Sequence, residues 1–310
     1  MGAIPLRLGT RGSALALAQA NQVAEAVGGA TVVPIRTSGD EGSAVEGERA
    51  AGGDKARFVR EIERALLDGE IDLAVHSAKD LPTELPGSLR LVGVPPREDP
   101  LDAYAGEAGS LTEVPKGARI GTSSLRRRSQ LLALRPDLEV VALRGNVDTR
   151  LRKLAEAGLD GIVIAAAGLR RLGRVQEIAF RLEHTEMTPA PGQGALALEA
   201  REGDSAAATA AQVATDRDAL ATLSAERAAV AALGASCNTP VGALARISAS
   251  RMTIAGFCGL PDGSEWIRDQ VEDDASDPEP LGRELAERML AAGAGELLER
   301  AEEIVSGAAP

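Results

Sequence analysis

The chain has 310 residues, a formal net charge of -12, and 44% hydrophobic, 26% charged and only 2% aromatic residues. That length accommodates two or three domains whose cores must be built from Ala, Leu, Val and Ile. The acidic balance and the scarcity of aromatic rings set aside nucleic acid as a partner, because its binders carry positive charge and stacking surfaces.

The first residues, MGAIPLRLGTRGS, show no charged leader followed by a long apolar run, and no later window approaches a membrane span. A cytoplasmic protein with no membrane partner is expected. Leu6 to Leu8 reads as a strand, Ser13 as the cap of a helix from Ala14 to about Val27, and Thr31 to Arg36 as a second strand. From Ser38 to Asp54 the sequence is polar and Gly-rich, which predicts a long loop. A helix over Arg57 to Leu67 follows, then strands at Ile71 to Val75 and Leu89 to Val94. Pro95 to Pro100 cannot continue a helix or a central strand and reads as a crossing between lobes.

Beyond it strand and helix alternate: Arg119 to Gly121, Leu125 to Leu134, Leu138 to Ala142, Val147 to Ala157, Gly161 to Ile164. Such alternation means parallel sheets wrapped by helices. Thr188 to Pro191 marks a second crossing, and Ala195 to Glu199 a strand returning to the first lobe. A helix over Arg217 to Leu233, strands after Ala243, an exposed loop at Asp273 to Pro280 and one helical stretch from Leu281 to Val305 complete the chain. The expected fold is α/β, two lobes with a cleft between them and a small C-terminal α+β domain. The expected domains are 1–96 with 192–214, 100–190, and 217–310.

The most distinctive local feature is IGTSSLRRR, Ile120 to Arg128. Between Arg119 and Lys153 stand nine Lys or Arg against three Asp or Glu, a local charge of +6 in an acidic chain. Thr122, Ser123 and Ser124 sit where a helix begins, and a helix start with nearby arginines suits carboxylate or phosphate. Other polar groups also fall at predicted strand ends: Thr10, Arg11 and Ser13; His76, Ser77, Lys79 and Asp80; Arg144 and Asn146. Among arginines, Asp80 could hold a proton or stabilise positive charge on a substrate. His76 reads as a packed structural histidine and Cys258 as a small buried hydrophobe, whereas Cys237, just past a helix end and before Pro240, reads as a loop-borne thiol. His76 and His184 lack ligand-like spacing, so no metal is expected. These residues leave open a non-catalytic carboxylate- or phosphate-binding module and, against the charge balance, an RNA binder using SLRRR.

Seven segments in order, TRGSALALAQ, HSAKDLP, GTSSLRRR, LRGNVDTRL, AAAGLRRLG, APGQGA and the Cys237 loop, closely resemble the hydroxymethylbilane synthase (porphobilinogen deaminase) family over nearly all of residues 4 to 245. The resemblance implies two lobes like those of type II periplasmic binding proteins and a third domain carrying the cysteine loop. It implies a transferase that joins four porphobilinogen units head to tail, releasing ammonia, and then frees linear hydroxymethylbilane by hydrolysis. It implies a dipyrromethane cofactor held by a thioether to Cys237, with Lys79, Thr122, Ser123, Ser124, Arg126 and Arg127 binding its carboxylates. Arg11, Ser13, Arg144 and Arg150 would face the incoming substrate, with Arg171 and Gln193 in support. Asp80 matches the catalytic aspartate, Lys55 and Phe58 match a lid, and a monomer is expected. Asp54, Ala56 and Arg57 depart from the family pattern at that lid.

Overall fold

The computed structural model describes residues 5–37, 53–235 and 239–307, without the side chains of residues 53–58. In chain order come β1 (Leu6–Arg11), α1 (Ala14–Ala26), β2 (Ala30–Ile35), α2 (Gly53–Leu67), β3 (Leu73–Ser77), a 3-10 turn (Ala78–Asp80) and β4 (Leu89–Gly93). Next are β5 (Asp102–Gly106), β6 (Arg119–Gly121), α3 (Leu125–Leu134), β7 (Glu139–Val141), α4 (Val147–Glu156), β8 (Gly161–Ala165), α5 (Ala166–Arg171) and β9 (Phe180–Leu182). The remainder is β10 (Leu196–Arg201), α6 (Ser205–Ala214), α7 (Arg217–Ala232), β11 (Val241–Ser248), β12 (Arg251–Gly259), β13 (Trp266–Asp274), α8 (Pro278–Ala291) and α9 (Ala294–Ser306). Two compact units contain them, Met1–Glu98 with Ala195–Leu220, and Asp99–Gly194 with Ala221–Pro310.

The first unit holds a five-stranded sheet of order β2-β1-β3-β10-β4, and the second holds one of order β7-β6-β8-β5-β9. The two share one topology. In each, three parallel strands meet a fourth that runs antiparallel, β10 in one and β5 in the other. Those two strands are the ones that follow the proline-marked crossings. The second unit also contains an antiparallel meander, β11-β12-β13, covered by α8 and α9. Among the described residues no helix is long and apolar enough to cross a membrane.

Small side chains set the packing. In the first unit Leu8, Leu73, Val75, Leu196 and Leu198 meet Ala20, Ala24, Ala207 and Ala211, which let helices approach the sheet closely. In the second, the ring of Tyr104 is fully buried, stacks on Phe180 and donates from its hydroxyl to Asp160 O at 2.8 Å. A Cβ on Gly161 would collide with that ring. Gly161→Ala is expected to cost about 1–3 kcal/mol, seen as a lower thermal midpoint.

Several elements differ from the sequence reading. β5, β9, α5 and α6 were not expected: GIVIAAAGLRR passes from strand to helix with no polar break, and α6 is an Ala-rich run started by Asp204, whose Oδ1 accepts from Ala207 N at 3.1 Å. α2 starts at Gly53, ahead of the predicted Arg57, and most of the expected loop from Ser38 lies outside the described residues. The C-terminal stretch is two helices, because Gly293 takes a left-handed φ of 99° that ends the first. Asp273 and Asp274 belong to β13, an edge strand where charge discourages further pairing, and Pro278 opens α8 where no backbone N–H is needed.

Candidate functional site

In the first unit β1 and β3 are parallel neighbours, with Leu8 opposite Leu73 and Gly9 opposite Ala74. Their carboxyl ends therefore lie on one edge of the sheet, which brings Arg11 and Ser13 to the same edge as Lys79 and Asp80. Ser13 Oγ accepts from Ala16 N at 3.4 Å and so caps α1. Asp80 closes the 3-10 turn that leaves β3, and it is half-buried. Ala78 N donates to Ala195 O at 3.0 Å, pinning that turn to the segment entering β10. Lys55 and Phe58 lie in the first turns of α2, and their side chains are outside the described set.

In the second unit the parallel strands β7, β6 and β8 deliver the other candidates to one edge. Thr122 to Ser124 follow β6, Arg144 and Asn146 follow β7, and Arg171 ends the helix that follows β8. Ser124 Oγ accepts from Arg127 N at 3.4 Å, and Asn146 Oδ1 accepts from Thr149 N at 2.9 Å, so each helix begins with a side-chain cap. Arg150 Nε donates to Gly145 O at 2.8 Å, and Arg171 Nη2 to Gly194 O at 2.8 Å. Thr122 is buried; Ser123, Arg128 and Arg144 are exposed.

The centre of this arrangement is a residue the sequence did not flag. Asp102, the first residue of β5, is fully buried and faces both Arg126 and Arg127. Arg126 donates from Nη1 to Oδ2 at 2.7 Å and from Nη2 to Oδ1 at 3.2 Å, while Arg127 Nη2 stands 2.7 Å from Oδ1. Burial by itself would push the Asp102 carboxyl up; the charges of the two arginines overcome it and hold the group well below the usual carboxylate range. Burial likewise brings Arg127 down to about 10, opposed by Asp102 and reinforced by the charges of Arg126 and Arg150.

Gln193 is buried in the same knot. Its Nε2 donates to Pro100 O at 2.7 Å and to Asp102 Oδ1 at 3.0 Å, and its Oε1 accepts from Arg127 Nη2 at 3.3 Å. Gly192 beside it has a left-handed φ of 72°, and its N–H donates to Glu226 Oε2 at 2.6 Å. Glu226 Oε1 accepts from Ala245 N at 2.8 Å, so one buried carboxylate ties the APGQG turn to β11. Asp102, Glu199 and Glu226 share a legible mark, an acid that directly adjoins a run of apolar residues (DAYA, LALEA, ERAAVAA). Read that way, each is a candidate for a buried, paired charge.

Cys258, by contrast, is fully buried on β12, and burial pushes its thiol up to about 12, which leaves it inert. Cys237 lies outside the described residues.

Fold and side chains together define an α/β protein in which each unit gathers cationic and hydroxyl groups at the carboxyl edge of its sheet, groups that suit carboxylates. The porphobilinogen deaminase, dipyromethane cofactor binding domain family matches residues 6–209, and the porphobilinogen deaminase, C-terminal domain family matches residues 220–291. Porphobilinogen deaminase of Thermus thermophilus is 47% identical over 94% of this chain and 97% of its own. That of Trichlorobacter lovleyi is 45% identical over 95% of this chain and 96% of its own. The chain belongs to the porphobilinogen deaminase (hydroxymethylbilane synthase) family, transferases of tetrapyrrole biosynthesis that use a dipyrromethane cofactor. Among solved structures, a TRAP periplasmic solute binding protein from Desulfovibrio salexigens overlaps at a TM-score of 0.40 with 12% identity, covering 69% of this chain and 72% of that one.

The residues present fit that cofactor. Two guanidiniums share one carboxylate, so the knot keeps a net positive charge, and Arg126 Nε is buried without a hydrogen-bond partner among the described residues. A carboxylate ligand supplies what such an interior lacks.

Proposed function

We propose that this chain joins four porphobilinogen units head to tail onto a dipyrromethane primer attached through a thioether to Cys237, releasing ammonia at each addition and hydroxymethylbilane by hydrolysis at the end. The surplus positive charge of the Arg126–Arg127–Asp102 knot carries the reading, because each pyrrole unit brings two carboxylates. When bound, the primer supplies a nucleophilic pyrrole carbon. Arg126, Arg127, Lys79, Thr122, Ser123 and Ser124 bind its carboxylates, and Arg11, Ser13, Arg144, Arg150, Arg171 and Gln193 orient the incoming porphobilinogen. A charge-assisted hydrogen bond contributes roughly 1.5–3 kcal/mol, so several together hold a growing polyanion without a bond to each ring. Lys55 and Phe58 are assigned to a lid, and the three domains are 1–96 with 192–214, 100–190 and 217–310. A monomeric, cytoplasmic enzyme belongs to the same proposal.

Asp80 has the central chemical part. Departure of ammonia from the aminomethyl group leaves positive charge spread over the pyrrole ring. A carboxylate beside the ring N–H accepts its hydrogen bond and stabilises that charge. The same group can then take the proton released when the new carbon–carbon bond restores the aromatic ring.

Intact-mass measurement tests the attachment. The purified protein should carry an adduct of two linked pyrrole units; Cys237→Ala should lose it, and Cys258→Ala should keep it. An unmodified thiol in an active preparation would refute the proposal.

A further inference from the structure

Among its described residues, the first unit buries three ionisable side chains that the chemistry above does not use. His76, on β3 just ahead of the Asp80 turn, has Nε2 2.9 Å from Glu199 Oε2 on β10, with side-chain exposures of 4% and 0%. Along the antiparallel pair His76 lies opposite Ala197 and Ala74 opposite Glu199, so His76 and Glu199 are diagonal neighbours on one face. Helix α2 covers that face, where Ile62, Ala65 and Leu66 pack with Ala74. Glu63, on the same helix, is only 8% exposed. Glu63 Oε1 and Glu199 Oε1 both lack a hydrogen-bond partner and have almost no accessible surface. Two such oxygens are costly apart, and a single proton between them satisfies both.

We propose that Glu63 keeps a proton and donates it in a hydrogen bond to Glu199 Oε1, while His76 holds Glu199 Oε2, so that Glu63–Glu199–His76 forms one chain fastening α2 to the strands that carry the Asp80 turn. Glu63 is thereby a positioning residue for Asp80, a role that rests on the catalytic reading of Asp80 given above. Its carboxyl is pushed up by burial first and by the charge of Glu199 next, against His76 and Arg60. The elements packed on α2 also carry Arg7 and Arg11 on β1, Lys79 and Asp80 in the turn, and Arg201 on β10, with no ionisable group on β2. Arg7 is turned to Asp72, and Arg201 to Asp204 and the carbonyls of Leu66 and Ile71.

The sign of the pH dependence follows. A carboxyl raised in the folded state adds stability that is fully present below the ordinary glutamate value of about 4.5 and is lost as pH rises through the higher folded value. The wild-type melting temperature should therefore carry a decline over that window that Glu63→Gln removes, because the amide donates to Glu199 at every pH. Infrared difference spectra should show a protonated carboxyl band in the wild type that Glu63→Gln lacks. Glu63→Leu keeps the apolar packing but strands Glu199. It should lower kcat about tenfold, the loss of one hydrogen bond, with little change in KM, and Glu63→Gln should restore it. A melting profile unaltered by Glu63→Gln, or a normal kcat in Glu63→Leu, overturns the proposal. Should Asp80→Asn turn over like the wild type, the reading of Asp80 falls by itself, and the melting profile and infrared band still decide the proton chain.

Discussion

Asp102→Ala should lower stability by about 3–5 kcal/mol or more, a fall of roughly 10 °C or more in the melting temperature of the second unit. The cause is what remains behind. Arg126 and Arg127 are buried to 4% exposure each, and without the carboxylate they become two adjacent uncompensated cations. Since the Asp102 carboxyl is depressed in the folded state, its contribution is complete above the ordinary aspartate value of 3.8 and is lost only as pH falls through the lower folded value. The penalty of Asp102→Ala should thus be undiminished from pH 5 upward. Exchanging all three residues for apolar ones of similar volume should recover much of the stability, as buried ion clusters generally allow, while abolishing pyrrole attachment. Calorimetric scans of both variants check this, and a loss under about 1 kcal/mol for Asp102→Ala would show that the pair does not depend on its counter-ion.

Asp80→Asn has the opposite profile. It should reduce turnover by about 10² to 10⁴, the usual yield of a positioned acid–base group, while leaving the primer attached and the melting temperature nearly unchanged. Asp80 is half-buried at a strand end, and the amide keeps its shape but not its negative charge. The discriminating comparison is single-turnover incorporation of one porphobilinogen, followed by intact mass. Wild-type kinetics in that assay would remove Asp80 from the reaction. Those two outcomes together would separate the roles of charge in this protein: Asp102 answering cations that are part of the fold, and Asp80, on the proposed reading, answering one that exists only during the reaction.

The candidate edge residues were legible because strand ends declare themselves locally. Gly121 to Ser124 changes from apolar to hydroxyl-bearing within four residues, and Ser13, Ser124 and Asn146 are capping residues whose side chains do cap the helices that follow them. What was not legible was partnership. Arg126, Arg127 and Arg128 are identical in local sequence, yet the first two are buried and the third is exposed. The difference arises from Asp102, 24 positions before Arg126, which reaches the knot because β5 inserts antiparallel beside β8.

Periodicity, caps, prolines and the run of motifs therefore settled from sequence most of the alternation of strands and helices, the two crossings and the family. Those features act over a few residues, within reach of neighbours along the chain. Which acids and bases leave water together was decided only in three dimensions, at Asp102 with its two arginines and at His76 with Glu199 and Glu63. Desolvation of a charge is tolerated only where a partner waits, and the strand order, not the residue's own neighbours, decides where that is.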